Sequence, residues 1–506
     1  MKESRTKNAL YNIIFAIILQ LITALSGLIL PRLIIPKYGS DVNGLIISIT
    51  QFLSYIALLE AGAESVFRAA LYNPFAQKDY YKVSKIFNSS KKFFKKIAII
   101  LLLYVVALCI IFPTLIAQNH DFVFTILMVL ILSASTFFQY YISIPYISVL
   151  SASQKVRIVY FIDTVLIILN LIFSYILITL NANILIVKLV STLLFIIKPV
   201  FFVYYVKKKY DLCKTKETDE IVVKNQKYGF IHHLAQFIHV NTDVIIITFL
   251  MGTKDVSIYA VYYAIVSGIE RIISSLSVGS AAGIGDLLSE NNIEKSNALV
   301  DKFEFIQGSL TTVLYTITAL MLIPFIKLYT INMTDADYVN TWFGYILVAA
   351  NAMYCFRLIY TTITLNGNKF KETYLGAVFE CLTNVILSII LVWKFGLVGV
   401  AIGTLSGMFV RYIFDAIYLS KNLLYRKLVK TLKFLLISFV SSAIAIIVCV
   451  FLVKKIYVVT WISWVIAAIC CSIITIIICG LIYFIFYYKT IIELLKFIKT
   501  RVLKVK

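Results

Sequence analysis

Long apolar runs fill this chain, separated by short polar segments. Fourteen of them reach the ~20 residues that an α-helix needs to cross a bilayer. They fall at 8–34, 43–70, 95–116, 122–149, 157–180, 184–206, 228–251, 256–285, 304–326, 341–366, 373–394, 397–420, 433–453 and 460–487. A transmembrane β-barrel would instead alternate polar and apolar positions in segments of about ten residues. The pattern therefore predicts an all-α membrane protein with fourteen transmembrane helices. Composition agrees: of 506 residues, 61% are hydrophobic and 14% charged. A soluble domain sits near ~45–50% apolar and ~25% charged. A water-soluble domain, a disordered chain and a disulfide-stapled secreted module are excluded.

Charge alternates along the chain. Net charge is +22, which in a soluble protein would suggest nucleic acid. Here the basic residues sort by loop. One set of loops and ends holds 34 Lys and Arg, including Lys78–Lys96, Lys207–Lys227 and the tail from Lys489. The opposite loops hold 7, and 6 lie inside spans. Cytoplasmic loops collect basic residues, so both termini are expected in the cytoplasm of a multi-pass cell membrane protein, and nucleic acid is not an expected partner. The basic Met1–Lys7 start runs into an apolar stretch too long for a signal-peptide core and without a small-residue cleavage site, so the first span is read as retained. The outer loops, at most about 14 residues by this reading of the spans, leave no room for a catalytic domain, and no GxxxxGK[ST] motif for ATP occurs. The eight cysteines show no metal-ligand spacing, the four histidines form no HExxH, and no metal site is expected.

The chain repeats itself at an offset of 213–214 residues. Tyr38-Gly-Ser-Asp-Val-Asn43 echoes Met251-Gly-Thr-Lys-Asp-Val256, with Gly39 matching Gly252. Leu150-Ser-Ala-Ser-Gln-Lys-Val-Arg157 echoes Thr364-Leu-Asn-Gly-Asn-Lys-Phe-Lys371, and Asn170 and Ser174 match Asn384 and Ser388. Six spans per copy with equal orientation is a parallel repeat, a form found in secondary transporters. The expected organisation is 1–206 (spans one to six), a cytoplasmic linker 207–227, 228–421 (spans seven to twelve), and 422–506 (two further spans and a basic tail).

Ionisable side chains inside spans cost about 2.5–3.5 kcal/mol each on insertion scales, so they face a cavity or pair. The second span carries Glu60, Glu64 and Arg68 at i, i+4, i+8, expected on one helical face. Asp243, Glu270, Arg271, Arg357, Arg411 and Lys198 fall near mid-membrane, and Arg32 lies at the outer end of the first span, after Pro31. Glu64 with Arg68, and Arg411 with Asp415, are spaced to pair. Glu270 and Arg271 are adjacent and point to different faces. Arg357 has no acid in its own span and requires a partner from another helix, a carbonyl or a bound anion.

Lys7-Asn-Ala-Leu-Tyr-Asn12, Pro31-Arg32 and Tyr38-Gly39 resemble the opening of the polysaccharide biosynthesis transporters. So do Leu59-Glu60-Ala-Gly62 and Arg68 running into Tyr72-Asn-Pro-Phe75, and the glycine-patterned Lys394-Phe-Gly-Leu-Val-Gly-Val-Ala-Ile-Gly-Thr404. These are lipid-linked oligosaccharide flippases of the multidrug/oligosaccharidyl-lipid/polysaccharide exporter superfamily. The resemblance implies two six-helix lobes around a central cationic cavity, plus two C-terminal helices. It implies a flippase, not an enzyme, moving undecaprenyl-diphosphate-linked oligosaccharide repeat units from inner to outer leaflet by alternating access. Arg32, Arg68, Arg271 and Arg357 are the implied substrate-binding residues, because a guanidinium presents a planar donor fork to phosphate. Glu60, Asp243 and Glu270 are candidate acids for proton or sodium coupling, with no other cofactor. The implied partners are the lipid-linked oligosaccharide, membrane lipids, and a polysaccharide polymerase and glycosyltransferases of the same assembly route. Two other functions compete: a multidrug cation antiporter of the same superfamily, and a membrane glycosyltransferase or polymerase.

Overall fold

A computed structural model describes residues 5–60, 62–210, 212, 217, 230–289, 293–366, 369–453 and 458–502. Most of the expected 207–227 linker and the end of the basic tail lie outside the described residues. The side chains of His232, His233 and His239, and of the glycine-rich 279–285 stretch, lie outside them too. Helices run in the order α1 (Arg5–Tyr38), α2 (Ser40–Ser54), α3 (Ala57–Glu60), α4 (Ala63–Gln77), α5 (Tyr80–Ile111), α6 (Phe122–Phe138), α7 (Ile144–Ala152), α8 (Arg157–Thr179) and α9 (Ile184–Lys209). There follow α10 (Phe230–Leu250), α11 (Thr253–Ser289), α12 (Ile293–Tyr329), α13 (Thr341–Asn366), α14 (Phe370–Phe395), α15 (Leu397–Tyr418), α16 (Leu428–Val453) and α17 (Trp461–Val502). Among the described residues, thirteen helical stretches are long and apolar enough to cross a membrane. The seventh expected span, 228–251, corresponds to α10, whose described apolar part is Asn241–Leu250.

The helices differ from the expected spans where polar residues cap or interrupt them. Asp79 accepts the Lys82 backbone N–H at 2.9 Å, so α5 starts fifteen residues before the expected 95 and its lysines lie on helix rather than loop. Such a side-chain acceptor satisfies one of the donors left open at a helix N-terminus. The second span is not one helix. It stops at Ser54, restarts for Ala57–Glu60, and resumes at Ala63 after Gly62 at φ 75°, a left-handed conformation that an α-helix cannot pass through. The expected single face of Glu60, Glu64 and Arg68 is therefore broken, with Glu60 on one side of the interruption and Glu64 and Arg68 on the other. The last span runs beyond 487, with a non-helical Tyr487 (φ −128°, ψ 25°) where it was expected to end.

The repeat recurs in the backbone. Tyr80–Ile116 and Ile293–Tyr329 are each helical stretches of 37 residues, apolar enough over part of their length to span a membrane, and begin 213 residues apart. Gly39 (φ 89°) and Gly252 (φ 105°) occupy equivalent turns. The Lys155 N–H closes onto the Leu150 carbonyl at 2.8 Å, and its repeat mate Lys369 closes onto Thr364 at 3.0 Å.

The chain divides into two compact units, Met1–Val261 and Tyr262–Lys506. In the first, α1 is tied to the α7–α8 turn: Arg157 Nη1 donates to Asn8 Oδ1 at 2.6 Å, and its backbone N–H to Asn12 Oδ1 at 3.0 Å. Helix α2 runs along α10 and the start of α11. Asn43 donates to Ser257 Oγ at 2.8 Å, the Ser48 and Thr248 hydroxyls meet at 2.9 Å, and Gln51 Nε2 donates to Asn241 Oδ1. In the second unit, α14 and α15 approach closely along Gly399, Gly403 and Gly407, where a Cβ would lie 2.3 Å from the Leu391 carbonyl, 2.1 Å from Ser388 Oγ and 2.9 Å from the Glu380 carbonyl. This is the small-residue packing that lets membrane helices touch backbone to backbone. It fixes the depth of Glu380 against α15. Helices α16 and α17 pack on α12 through Phe305, Phe434, Tyr483 and Tyr487.

Candidate functional site

In the first unit, Arg32 sits partly buried on α1, one residue after Pro31. Glu60 closes α3 at the interruption of the second span, where the Tyr140 hydroxyl approaches its Oε2 at 3.5 Å. Tyr140 belongs to a π-helical segment, Gln139–Ser143, immediately before Pro145. A π-turn and a broken helix meeting at one carboxylate form the kind of irregular backbone that clusters at functional sites. Arg68 pairs with Glu64 at 3.4 Å, one turn away as its spacing predicts. Asp243 is buried on α10, with the Tyr259 hydroxyl donating to Oδ2 at 3.1 Å.

The second unit brings three more of the expected residues together. Glu270 is partly buried on α11 and lies within electrostatic reach of both Arg271 and Arg357. Arg271 is exposed, and among the described residues no carboxylate stands at ion-pair distance from it. Arg357 is buried, and its Nη2 donates to Glu380 Oε1 at 3.0 Å, the acid from another helix that its isolation in sequence requires. The Tyr354 ring lies beneath its guanidinium, 4.8 Å from the centroid. One helix over, Arg411 Nε donates to Asp415 Oδ2 at 3.0 Å, the pair its i,i+4 spacing predicts. Thr361 Oγ1 donates to the same oxygen at 2.8 Å. The result is a buried quartet of two guanidiniums and two carboxylates. Among the described residues, the guanidiniums of Arg68, Arg357 and Arg411 each have an acid at ion-pair distance, and that of Arg271 has none there.

Two clusters escaped the sequence reading. At the end of the second unit nearest the α15–α16 connection, Arg426 holds Asp301 at 2.9 Å and Glu304 at 2.8 Å, and the Tyr360 hydroxyl donates to Glu304. Burial opposes the Arg426 charge, but the Glu304 and Asp301 carboxylates more than offset it, and the guanidinium is held above its ordinary value. Arg426 and Asp301 fall among loop-like polar residues in the sequence, so only folding reveals that they meet. In the first unit, exposed Glu217 is paired with Lys85, which lowers its carboxyl from the usual range.

By sequence the chain matches no family model and no curated protein. By fold it is similar to membrane transporters. It superposes on a structure described as "Lipid II flippase MurJ, inward closed conformation" with TM-score 0.69 at 16% identity, over 95% of this chain and 100% of that one. An inward-facing multidrug resistance MATE family transporter of the MOP superfamily gives 0.62 at 15% identity, over 79% of this chain and 95% of that one. A MOP superfamily transporter from Pyrococcus furiosus, described as having a binding pocket of reverse polarity, gives 0.58 at 14% identity, over 83% and 97%. The chain shares the fold of these solved structures.

Proposed function

We propose that this protein is an alternating-access flippase for a lipid with a diphosphate head, namely undecaprenyl-diphosphate-linked oligosaccharide repeat units moved from inner to outer leaflet for surface polysaccharide assembly. The observation that carries the reading is Arg271. Among the described residues no carboxylate stands at ion-pair distance from it, and a guanidinium so placed on an apolar helix is costly to keep unless it meets an anion, phosphate being suited to its planar fork. Arg32, and Arg68 beside Glu64, are the further arginines proposed to bind substrate. Arg357, already held by Glu380, serves to position α13 and α14 and bears on substrate through Glu270. Coverage supports the same choice: the flippase match takes in nearly the whole chain, whereas the multidrug transporter match leaves about a fifth of it unmatched. A diphosphate bearing several sugars cannot enter hydrocarbon unaided, so a protein path is required.

Glu60, Asp243 and Glu270 are the acids proposed for proton or sodium coupling. The proposed topology places both termini in the cytoplasm, and the proposed working partners are a polymerase and glycosyltransferases.

The test is translocation of a fluorescent polyprenyl-diphosphate sugar in proteoliposomes. Arg271→Gln is expected to lower the rate at least tenfold, and Arg271→Lys to keep part of it, retaining charge but not the fork. Glu270→Gln is expected to remove any dependence on an imposed proton or sodium gradient. An unchanged rate in Arg271→Gln removes Arg271 from the mechanism. Export of a lipophilic cation instead of the lipid would favour the antiporter.

A further inference from the structure

Helices α5 and α12 are repeat mates, yet their charges differ. Between 80 and 116 there are six lysines and no carboxylate, whereas the equivalent first half of α12, 293–309, holds two lysines and three carboxylates. At the offset of 213, Lys91 matches Glu304, Lys92 matches Phe305, Lys95 matches Gly308 and Lys96 matches Ser309. Membrane orientation alone does not call for lysine at these four positions, since the matching positions of α12 hold none.

The surroundings of the two faces explain the difference. In the second unit this face of α12 is covered. Phe305 meets the Tyr483 ring at 5.6 Å, a Cβ on Gly308 would lie 2.2 Å from the Phe434 ring, and Glu304 holds Arg426. In the first unit, Lys91, Lys92, Lys95 and Lys96 are all exposed. The opposite side of α5, with Ile86, Ser90, Phe94, Ile97 and Leu101, is buried.

The exposed stripe has a clear register. Lys92 and Lys96 continue at i+3/i+4 spacing into Ile99, Leu103, Val106 and Ile110, exposed by 50, 70, 61 and 61%. In a membrane helix, exposed apolar residues of this kind face lipid tails. Lys92 lies ~10 Å below Ile99 along the axis, at ~1.5 Å per residue, which puts the ammonium groups at head-group level beneath those same tails. Lys91 and Lys95 rest over the Phe87 and Tyr141 rings, at 5.5 and 5.7 Å from the centroids. Lys85 is set apart, paired with Glu217.

We propose that this face of α5, carried by Lys91, Lys92, Lys95 and Lys96, is a binding surface for the phosphate head groups of anionic membrane lipids. The occupant is a lipid rather than a soluble anion because the charged stripe continues directly into tail-facing residues. Lysine suits the task as a mobile point charge attracted to phosphate at a membrane surface. The proposal goes beyond the transport reading and stands without it.

The experiment uses the full chain in a zwitterionic detergent, titrated with phosphatidylglycerol or phosphatidylcholine and read by native mass spectrometry. The wild type is expected to retain phosphatidylglycerol selectively. Replacing all four lysines with Gln is expected to weaken that retention at least tenfold, and replacing them with Arg to preserve it. Lys295→Gln with Lys302→Gln, the control on α12, is expected to change it less than twofold. If the fourfold Gln variant does not purify, Lys92→Gln with Lys96→Gln carries the test and is expected to lose more than Lys91→Gln with Lys95→Gln. Retention unchanged by the Gln variants, or equal loss in the α12 control, overturns the proposal. It is also overturned if inorganic pyrophosphate or a polyglutamate peptide binds the same lysines as tightly as the lipid does.

Discussion

At the scale of single residues, the membrane interior makes every charge account for itself. Arg357 and Glu380 are each nearly inaccessible, so neither can be hydrated if the other is removed. Breaking a buried pair leaves an uncompensated charge and costs about 3–5 kcal/mol. Arg357→Ala is therefore expected to destabilise the protein by about that amount, measured by thermal unfolding in detergent, and adding Glu380→Gln to recover part of the loss. Equal stability of Arg357→Ala and wild type would contradict the pairing. Arg271→Gln should leave the melting temperature unchanged, because that guanidinium is exposed and, among the described residues, has no carboxylate at ion-pair distance. The two arginines are expected to separate by readout: Arg357 in stability, Arg271 in the proposed transport.

At the scale of elements, glycine spacing decides how close two helices can come. Gly399, Gly403 and Gly407 recur every four residues on α15 and place its backbone against α14. A methyl at 403 would sit 2.1 Å from Ser388 Oγ and 2.7 Å from the Ser388 backbone nitrogen. Gly403→Ala must push the helices apart, at an expected cost of about 1–3 kcal/mol. Gly480→Ala, with open space around its Cβ position, serves as the control and should unfold at the wild-type temperature. The broken second span illustrates a limit of pattern reading at this scale. Its apolar content is continuous, so periodicity predicts one helix. The left-handed conformation at Gly62 depends on packing, which a single glycine does not announce. The early start of α5 was legible in principle from Asp79 followed by Lys82, but a lysine-rich stretch reads as loop unless its buried side is known to be Val83, Ile86, Phe87 and Phe94.

At the scale of the whole molecule, the alternation of loop charge predicts topology. With cysteines introduced singly into a cysteine-free background, a membrane-impermeant thiol reagent is expected to reach position 154, between α7 and α8, only from the cytoplasmic side. Position 181, between α8 and α9, should react only from outside. Reversal of the two would invert the topology, and reaction of both from one side would contradict α8 as a span. The sequence by itself determined that this is a helical membrane protein, where most spans run, that the chain repeats, and that Arg411 would find Asp415 and Arg68 would find Glu64. Those follow from apolar length and from i,i+4 geometry, which are local. Tertiary structure alone decided that Arg357 belongs to Glu380, that Arg426 gathers Asp301 and Glu304, that Glu60 stands at a break, and that the face of α12 covered by the last two helices is open and lysine-lined on α5. Those depend on contacts between residues distant in sequence, whose approach is set by how side-chain volumes fill the space between helices rather than by any pattern along one of them.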